Sequence, residues 1–237
     1  METNLKISAP SRKVNRRAPR IESAIEPPVQ FSLQEIKQHF TDSITSVKEQ
    51  FTVADSLLKD GNIEGCKTIG RSQIALAEGL LDFYLHEISK YCLFRMFTGQ
   101  WAKSSKYALI MVPMQKVEEA IETSPSKDWF FSFLNETFSR QVFLSMKSMC
   151  DQLNLIGIGF NDVMVRAFPQ DNVGNSISVG KKVVASLFER RNAIAHQNDR
   201  SHASAKQNDI NKEFVIEYIS KIESIVNAVQ SIAEEKI

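Results

Sequence analysis

Apolar residues return every three or four positions along most of this chain, and no alternating run supports a sheet, so the pattern predicts an all-α protein. Phe31, Ile36, Phe40, Ile44, Val47, Phe51, Leu57 and Leu58 keep the helical spacing until Asp60-Gly61 closes the element. A longer helix is predicted from about Ile63 to Phe97, with Ile74, Leu81, Leu85, Ile88 and Leu93 among its apolar positions and Thr98-Gly99 as its stop. At the standard rise it would run roughly 50 Å, long enough to be the central strut of a domain.

The middle of the chain is less regular. Tyr107–Val112 reads as a brief extended segment or a loop packed on the core. Helical spacing resumes over Met114–Ile121, and again from Asp128, with Ser126 or Asp128 as the candidate cap. A further helix is expected over approximately Arg140–Leu155, and Ile158–Phe168 forms a short element after Gly157 and Gly159. The last third is the clearest. Val179, Val183, Val184, Leu187 and Phe188 form one face of a helix ending near His196. After the polar stretch Gln197–Asn208, Asp209 is the candidate cap of a helix carrying Val215, Tyr218, Ile222, Ile225, Val229 and Ile232 at alternating spacings of three and four. The simplest arrangement for these two is an antiparallel pair with apolar faces in the core.

Composition changes the picture mainly at the N-terminus. Residues 1–30 contain four of the seven prolines and six basic residues against three acids. Too few large apolar side chains are present to offset ordering entropy, so a disordered basic tail is expected before a folded unit spanning 31–237. That tail is either merely solvated or an arm that adds phosphate contacts. The whole chain carries a net charge of +1, so any nucleic-acid site must be local. No apolar run is long enough to cross a bilayer, and the N-terminus lacks the apolar core of a secretory signal. Cys66, Cys92 and Cys150 lie far apart without metal-ligand spacing, which reads as reduced thiols and a cytoplasmic protein.

The one chemically pointed segment is Arg190-Arg191-Asn192-Ala193-Ile194-Ala195-His196-Gln197, set between the last two helices. It resembles the signature of the HEPN superfamily: an arginine, a polar residue, and a histidine four to six residues after the arginine, here Arg191, Asn192 and His196. The form Arg-Arg-Asn-Ala-Ile-Ala-His is similar to the RiboL-PSP-HEPN subgroup. The resemblance implies a HEPN-type helical bundle, over about residues 31–237, with extra helices between Trp101 and Pro169. It also implies metal-independent endoribonuclease activity at a groove between two protomers of a homodimer. Stand-alone members act as toxins or defence effectors, so a cognate inhibitor or antitoxin is a further implied partner beside RNA. Arg191, His196 and Asn192 would then be catalytic and Arg190 an RNA contact. A catalytically inactive HEPN-like RNA-binding or protein-interaction module is the alternative.

The chemistry of these residue types fits. RNA carries its own nucleophile, the 2′-hydroxyl, so cleavage needs proton transfer and charge stabilisation. Histidine titrates near neutral pH and suits the first task. Arginine stays charged and presents a planar fork to phosphate oxygens. Asn192 and His196 are four apart and share a helix face, whereas Arg191 stands roughly 140° from His196 on an ideal helix. Either the helix ends or bends before His196, or a twofold partner completes the site. A purely structural reading also exists, in which Arg191 and His196 satisfy the last carbonyls and dipole of their helix.

Other candidates are fewer. Glu78 and Asp82 lie four apart on the long helix, and either faces the site or pairs elsewhere, Glu78 with Arg71 for example. His39, His86 and His202 have no acidic or cysteine partner at metal spacing, and no phosphate-cradling loop or hydrolase elbow is present. Neither a metal nor an organic cofactor is expected.

Overall fold

Ser32 starts the first helix. Its hydroxyl accepts the Glu35 N–H while the Glu35 carboxylate accepts the Ser32 N–H, so two otherwise orphaned donors are satisfied at one turn. In the computed structural model, which describes residues 29–123 and 127–237, this helix is α1, Leu33–Lys59. All but the last two residues of the expected tail lie outside the described residues. Helix α2, Ile63–Thr98, begins at an Asn62 cap and stops where Gly99 takes φ 81°, a backbone state that costs glycine little. Its 36 residues make it the strut: it packs against α1 and against three later helices, α4 (Asp128–Phe138), α7 (Val173–Gln197) and α8 (Lys212–Glu234).

Between them come α3 (Met114–Thr123), α5 (Met146–Leu155) and α6 (Phe160–Ala167). Seven of the eight α-helices among the described residues share one core, α3 packing instead against α4, and no strand occurs among those residues. The short helix α6 packs against both α7 and α8. Close approach there depends on Gly180, because a β-carbon would sit 2.6 Å from the Met164 sulfur. A buried polar tie holds α1, α2 and α8 together, in which Tyr84 Oη donates to Gln230 and Gln230 Nε2 reaches the Leu33 carbonyl.

Three local expectations are revised, and one left between two alternatives is decided. Residues 107–112 are a 3-10 turn, Tyr107–Leu109, followed by a packed loop rather than an extended segment. Helix α5 starts six residues later than its apolar pattern. The Phe143 N–H is taken by Asp82 Oδ1 at 2.8 Å, and Ser145 then caps the helix. Asp128 is the first residue of α4 rather than its cap, and Ser126 lies outside the described residues. Asn211 caps α8 in place of Asp209, whose carboxylate instead meets Lys67 at 2.8 Å.

Candidate functional site at the end of helix α7

Helix α7 runs unbroken from an Asn172 cap through the motif to Gln197. Two consecutive left-handed residues then turn the chain, Asn198 at φ 49° and Asp199 at φ 57°. Asparagine and aspartate tolerate this region better than other residues with a β-carbon. The turn drives the Asp199 side chain fully inside the protein. There Oδ2 accepts from Arg71 Nε and Arg190 Nη2, both at 2.9 Å, while Oδ1 accepts from Asn208 Nδ2 at 2.9 Å and pairs with Arg190 Nη1 at 2.8 Å. Arg71 also donates to the Asn208 carbonyl and Arg190 to the Asp209 carbonyl. One carboxylate thereby ties α2, α7 and the loop after the motif into a fixed unit.

The four motif residues are placed differently. Arg190, expected to contact RNA, spends its guanidinium on Asp199 and lies over the Phe214 ring. Arg191 is half-buried and its Nη1 donates to Asn192 Oδ1 at 3.1 Å. On the helical wheel Asn192 stands between Arg191 and His196, so this bond draws the guanidinium toward the histidine's face. His196 is exposed in the last turn of α7, with no hydrogen-bond, ion-pair or ring partner among the described residues. The last turn is closed instead by main-chain donors, with the N–H groups of Asn198 and Asp199 both directed at the Ala193 carbonyl. Two other histidines are occupied: His39 stacks edge-on with Phe31, and His86 Nε2 meets the Gln141 carbonyl at 3.2 Å, its pKa lowered chiefly by burial, whereas His202, in the loop after the motif, is exposed and likewise without a partner among the described residues.

The family model of RiboL-PSP-HEPN matches residues 29–235. The chain belongs to the RiboL-PSP-HEPN family. No curated protein and no solved structure matches it. None of the described helices of this family member is long and apolar enough to cross a membrane.

Beneath the motif of this HEPN chain lies a polar contact that helical spacing alone did not reveal. Glu78 on α2 is 1% exposed, and its Oε1 lies 3.0 Å from the Tyr218 hydroxyl. The same hydroxyl is 2.6 Å from the Leu187 carbonyl of α7. A phenol has one proton to give. Its closer acceptor is the Leu187 carbonyl, so the bond it donates to Glu78 Oε1 is the longer and weaker of the two. Burial raises the Glu78 pKa to about 7, against the opposing pull of the bond donated by Tyr218 and of nearby Arg191. Arg71 does not pair with Glu78, because Asp199 holds it. Asp82 likewise turns away, to the Phe143 N–H.

Sequence offered unequal signals for these groups. Glu78 falls in the series Ile74, Glu78, Leu81, Leu85, spaced four, three and four, which places a carboxyl on a core-facing stripe. Tyr218 was legible as a core position but its hydroxyl's partners were not. Asp199 sits in an aperiodic polar stretch. The doubled arginine, one of which needs a counter-ion once half-buried, was the only hint of it.

Proposed function

We propose that this HEPN protein is a metal-independent endoribonuclease acting at a groove shared by two copies of the chain. The observation that carries the reading is the state of His196: exposed, unpartnered among the described residues, and on the same helix, five residues after an arginine steadied by Asn192. A structural histidine at a helix end would be expected to cap carbonyls, and here main-chain N–H groups do that work. Because α7 continues through Gln197, no break in the helix brings Arg191 and His196 together, which supports completion of the site by a twofold partner.

The reaction needs two proton transfers. A base takes the 2′-hydroxyl proton as that oxygen attacks phosphorus, and an acid protonates the departing 5′-oxygen as its bond to phosphorus breaks. The products are a 2′,3′-cyclic phosphate and a 5′-hydroxyl. One imidazole cannot be free base and imidazolium at once, and two copies supply His196 twice. Arg191 offsets the charge gathering on the phosphorane oxygens. Arg190 serves better as the anchor of Asp199 than as a direct RNA contact.

One observation favours the catalytically silent alternative. Arg191 shares its surroundings with Glu78, and an ionised Glu78 would compete with RNA phosphate for the guanidinium. The discriminating experiment is RNA cleavage by purified protein in excess chelator. We expect cutting, lost by at least about 10²-fold in His196→Ala as for removal of a general acid or base. RNA binding without cleavage by the parent protein, across many RNAs, would sink the enzyme reading.

A further inference from the structure

From Arg190 to Asn208 the chain has a single acidic residue, Asp199, and it is fully buried. Its carboxylate holds two arginines, Arg71 and Arg190, so it neutralises only one charge of that pair. The next acid along, Asp209, is paired with Lys67. The surface that follows the motif therefore carries uncompensated positive charge, although the whole chain has a net charge of only +1.

The loop that presents this charge has a defined backbone. The Arg200 N–H meets the Gln197 carbonyl at 3.0 Å, which holds the residue against the last turn of α7, four positions after His196. Arg200 then pairs with Gln207 in an isolated antiparallel bridge. The Ser201 N–H meets the Lys206 carbonyl at 2.9 Å, and the Ala205 N–H meets the Ser201 carbonyl at 2.8 Å. At the base the Asn208 N–H meets the Asp199 carbonyl at 2.8 Å, so the hairpin rests on the residue that ties α2 to α7.

The two cations of this hairpin are not equivalent. Directly opposed residues of an antiparallel pair point to one side of the ribbon, and their neighbours point to the other. Lys206 lies on the side of α2, where it lines an open cleft with Glu64 and Lys67. Arg200 belongs to the opposite side and is exposed. Its Nη1 donates to the Ala205 carbonyl at 2.8 Å, a neutral acceptor that orients the guanidinium without cancelling its charge. That is the one bond its side chain makes among the described residues. A guanidinium has five N–H donors in a planar fork that fits phosphate oxygens, so most of them are left for a ligand.

We propose that Arg200 is a phosphate contact for RNA, seated beside the motif and holding the strand by its backbone. This role rests on the RNA reading of the motif. It passes to an arginine beyond the turn the task that spacing had suggested for Arg190, whose guanidinium Asp199 consumes.

The probe is a fluorescein-labelled single-stranded RNA of mixed sequence, and the readout is its anisotropy over a series of potassium chloride concentrations. The full-length protein carries His196→Ala and the buffer contains EDTA, so that binding is measured without cutting. Adding Arg200→Gln should weaken binding about fivefold at about 0.1 M salt and make the log–log salt slope shallower by about 0.7, the loss of one phosphate contact on a single strand. Arg200→Lys keeps the charge and should recover most of both. Lys181, exposed on α7 and roughly 15 Å along the helix from Arg191, is the remote control. Lys206→Gln and Lys181→Gln should each cost less than about twofold, as expected of screened charges that touch no phosphate. Equal losses from all three glutamine variants would mean that only overall charge matters, and the proposal falls. Weaker binding at an unchanged slope would mean that Arg200 merely shapes the loop, which also overturns it. RNA held undiminished after Arg200→Gln would leave this arginine to an acidic protein partner and overturn it, as would a His196→Ala protein that binds no RNA. A parent protein that binds RNA through Arg200 yet does not cut it bears out the contact and overturns the enzyme reading alone.

Discussion

Replacing Glu78 by glutamine should make the protein more stable by an amount that grows as pH rises from 4.5 to about 7 and then levels off. Burial is the first cause of its raised pKa, and the charged or titratable groups acting on it are Tyr218 of α8, Arg191 of α7 and Asp82 of α2. The carboxyl titrates at about 7 in the folded protein against a reference value of 4.5. Between those values the folded state holds a proton that the unfolded chain has released. The linkage sign is therefore the reverse of the usual carboxylate: stability is greatest below the unfolded pKa, falls as pH rises toward about 7, and levels off above it. Each pH unit is worth about 1.4 kcal/mol, so the interval amounts to about 3 kcal/mol. That is a large share of a typical folding free energy of about 5–15 kcal/mol. Glutamine mimics the neutral acid, since its carbonyl oxygen can accept from the Tyr218 hydroxyl while the side chain carries no charge. Urea unfolding of parent and Glu78→Gln at about pH 5 and about pH 8 measures the effect. The two proteins should agree within about 1 kcal/mol at the lower pH, and the variant should lead by about 3 kcal/mol at the higher one. Adding Arg191→Ala to both should widen the lead, because Arg191 opposes the rise. A difference that does not change with pH, or a variant less stable at pH 8, would refute a neutral buried Glu78.

Asp199→Ala should destabilise the fold by about 3–5 kcal/mol, read by urea unfolding, because it strands Arg71 and Arg190 without their shared carboxylate. Mixing an Arg191→Ala chain with a His196→Ala chain should restore part of the RNA cleavage if one site draws on both copies, whereas activity that stays absent in confirmed mixed dimers would place both residues in one protomer. RNA carrying 2′-deoxyribose at the scissile position should resist cutting in every case, and its cleavage would exclude attack by the 2′-hydroxyl. Deleting residues 1–28 should weaken RNA binding and flatten its salt dependence with little change in melting temperature, while a large drop in melting temperature would show that the segment packs on the bundle.

The main helices were legible in the sequence because their determinants are local. Apolar residues at a period near 3.6 define α1, α2 and α8 whatever else the chain does, and Ser32-x-x-Glu35 and Thr98-Gly99 mark ends through bonds that span a single turn. The motif was legible for the same reason, being eight contiguous residues. The start of α5 was not, because Asp82, sixty-one positions earlier, takes the N–H of Phe143. Nor was the cap of α8, because Lys67 claims Asp209 from another helix. Tertiary structure also divided the doubled arginine. Arg190 faces the loop, where a buried Asp199 neutralises it, while Arg191 leans on Asn192 toward an open His196. Spacing says which residues share a face of a helix. Which of them reach solvent, and which are consumed by a counter-charge folded in from a distant segment, is decided by the cost of burying an unpaired charge, and that cost exists only once the helices have packed.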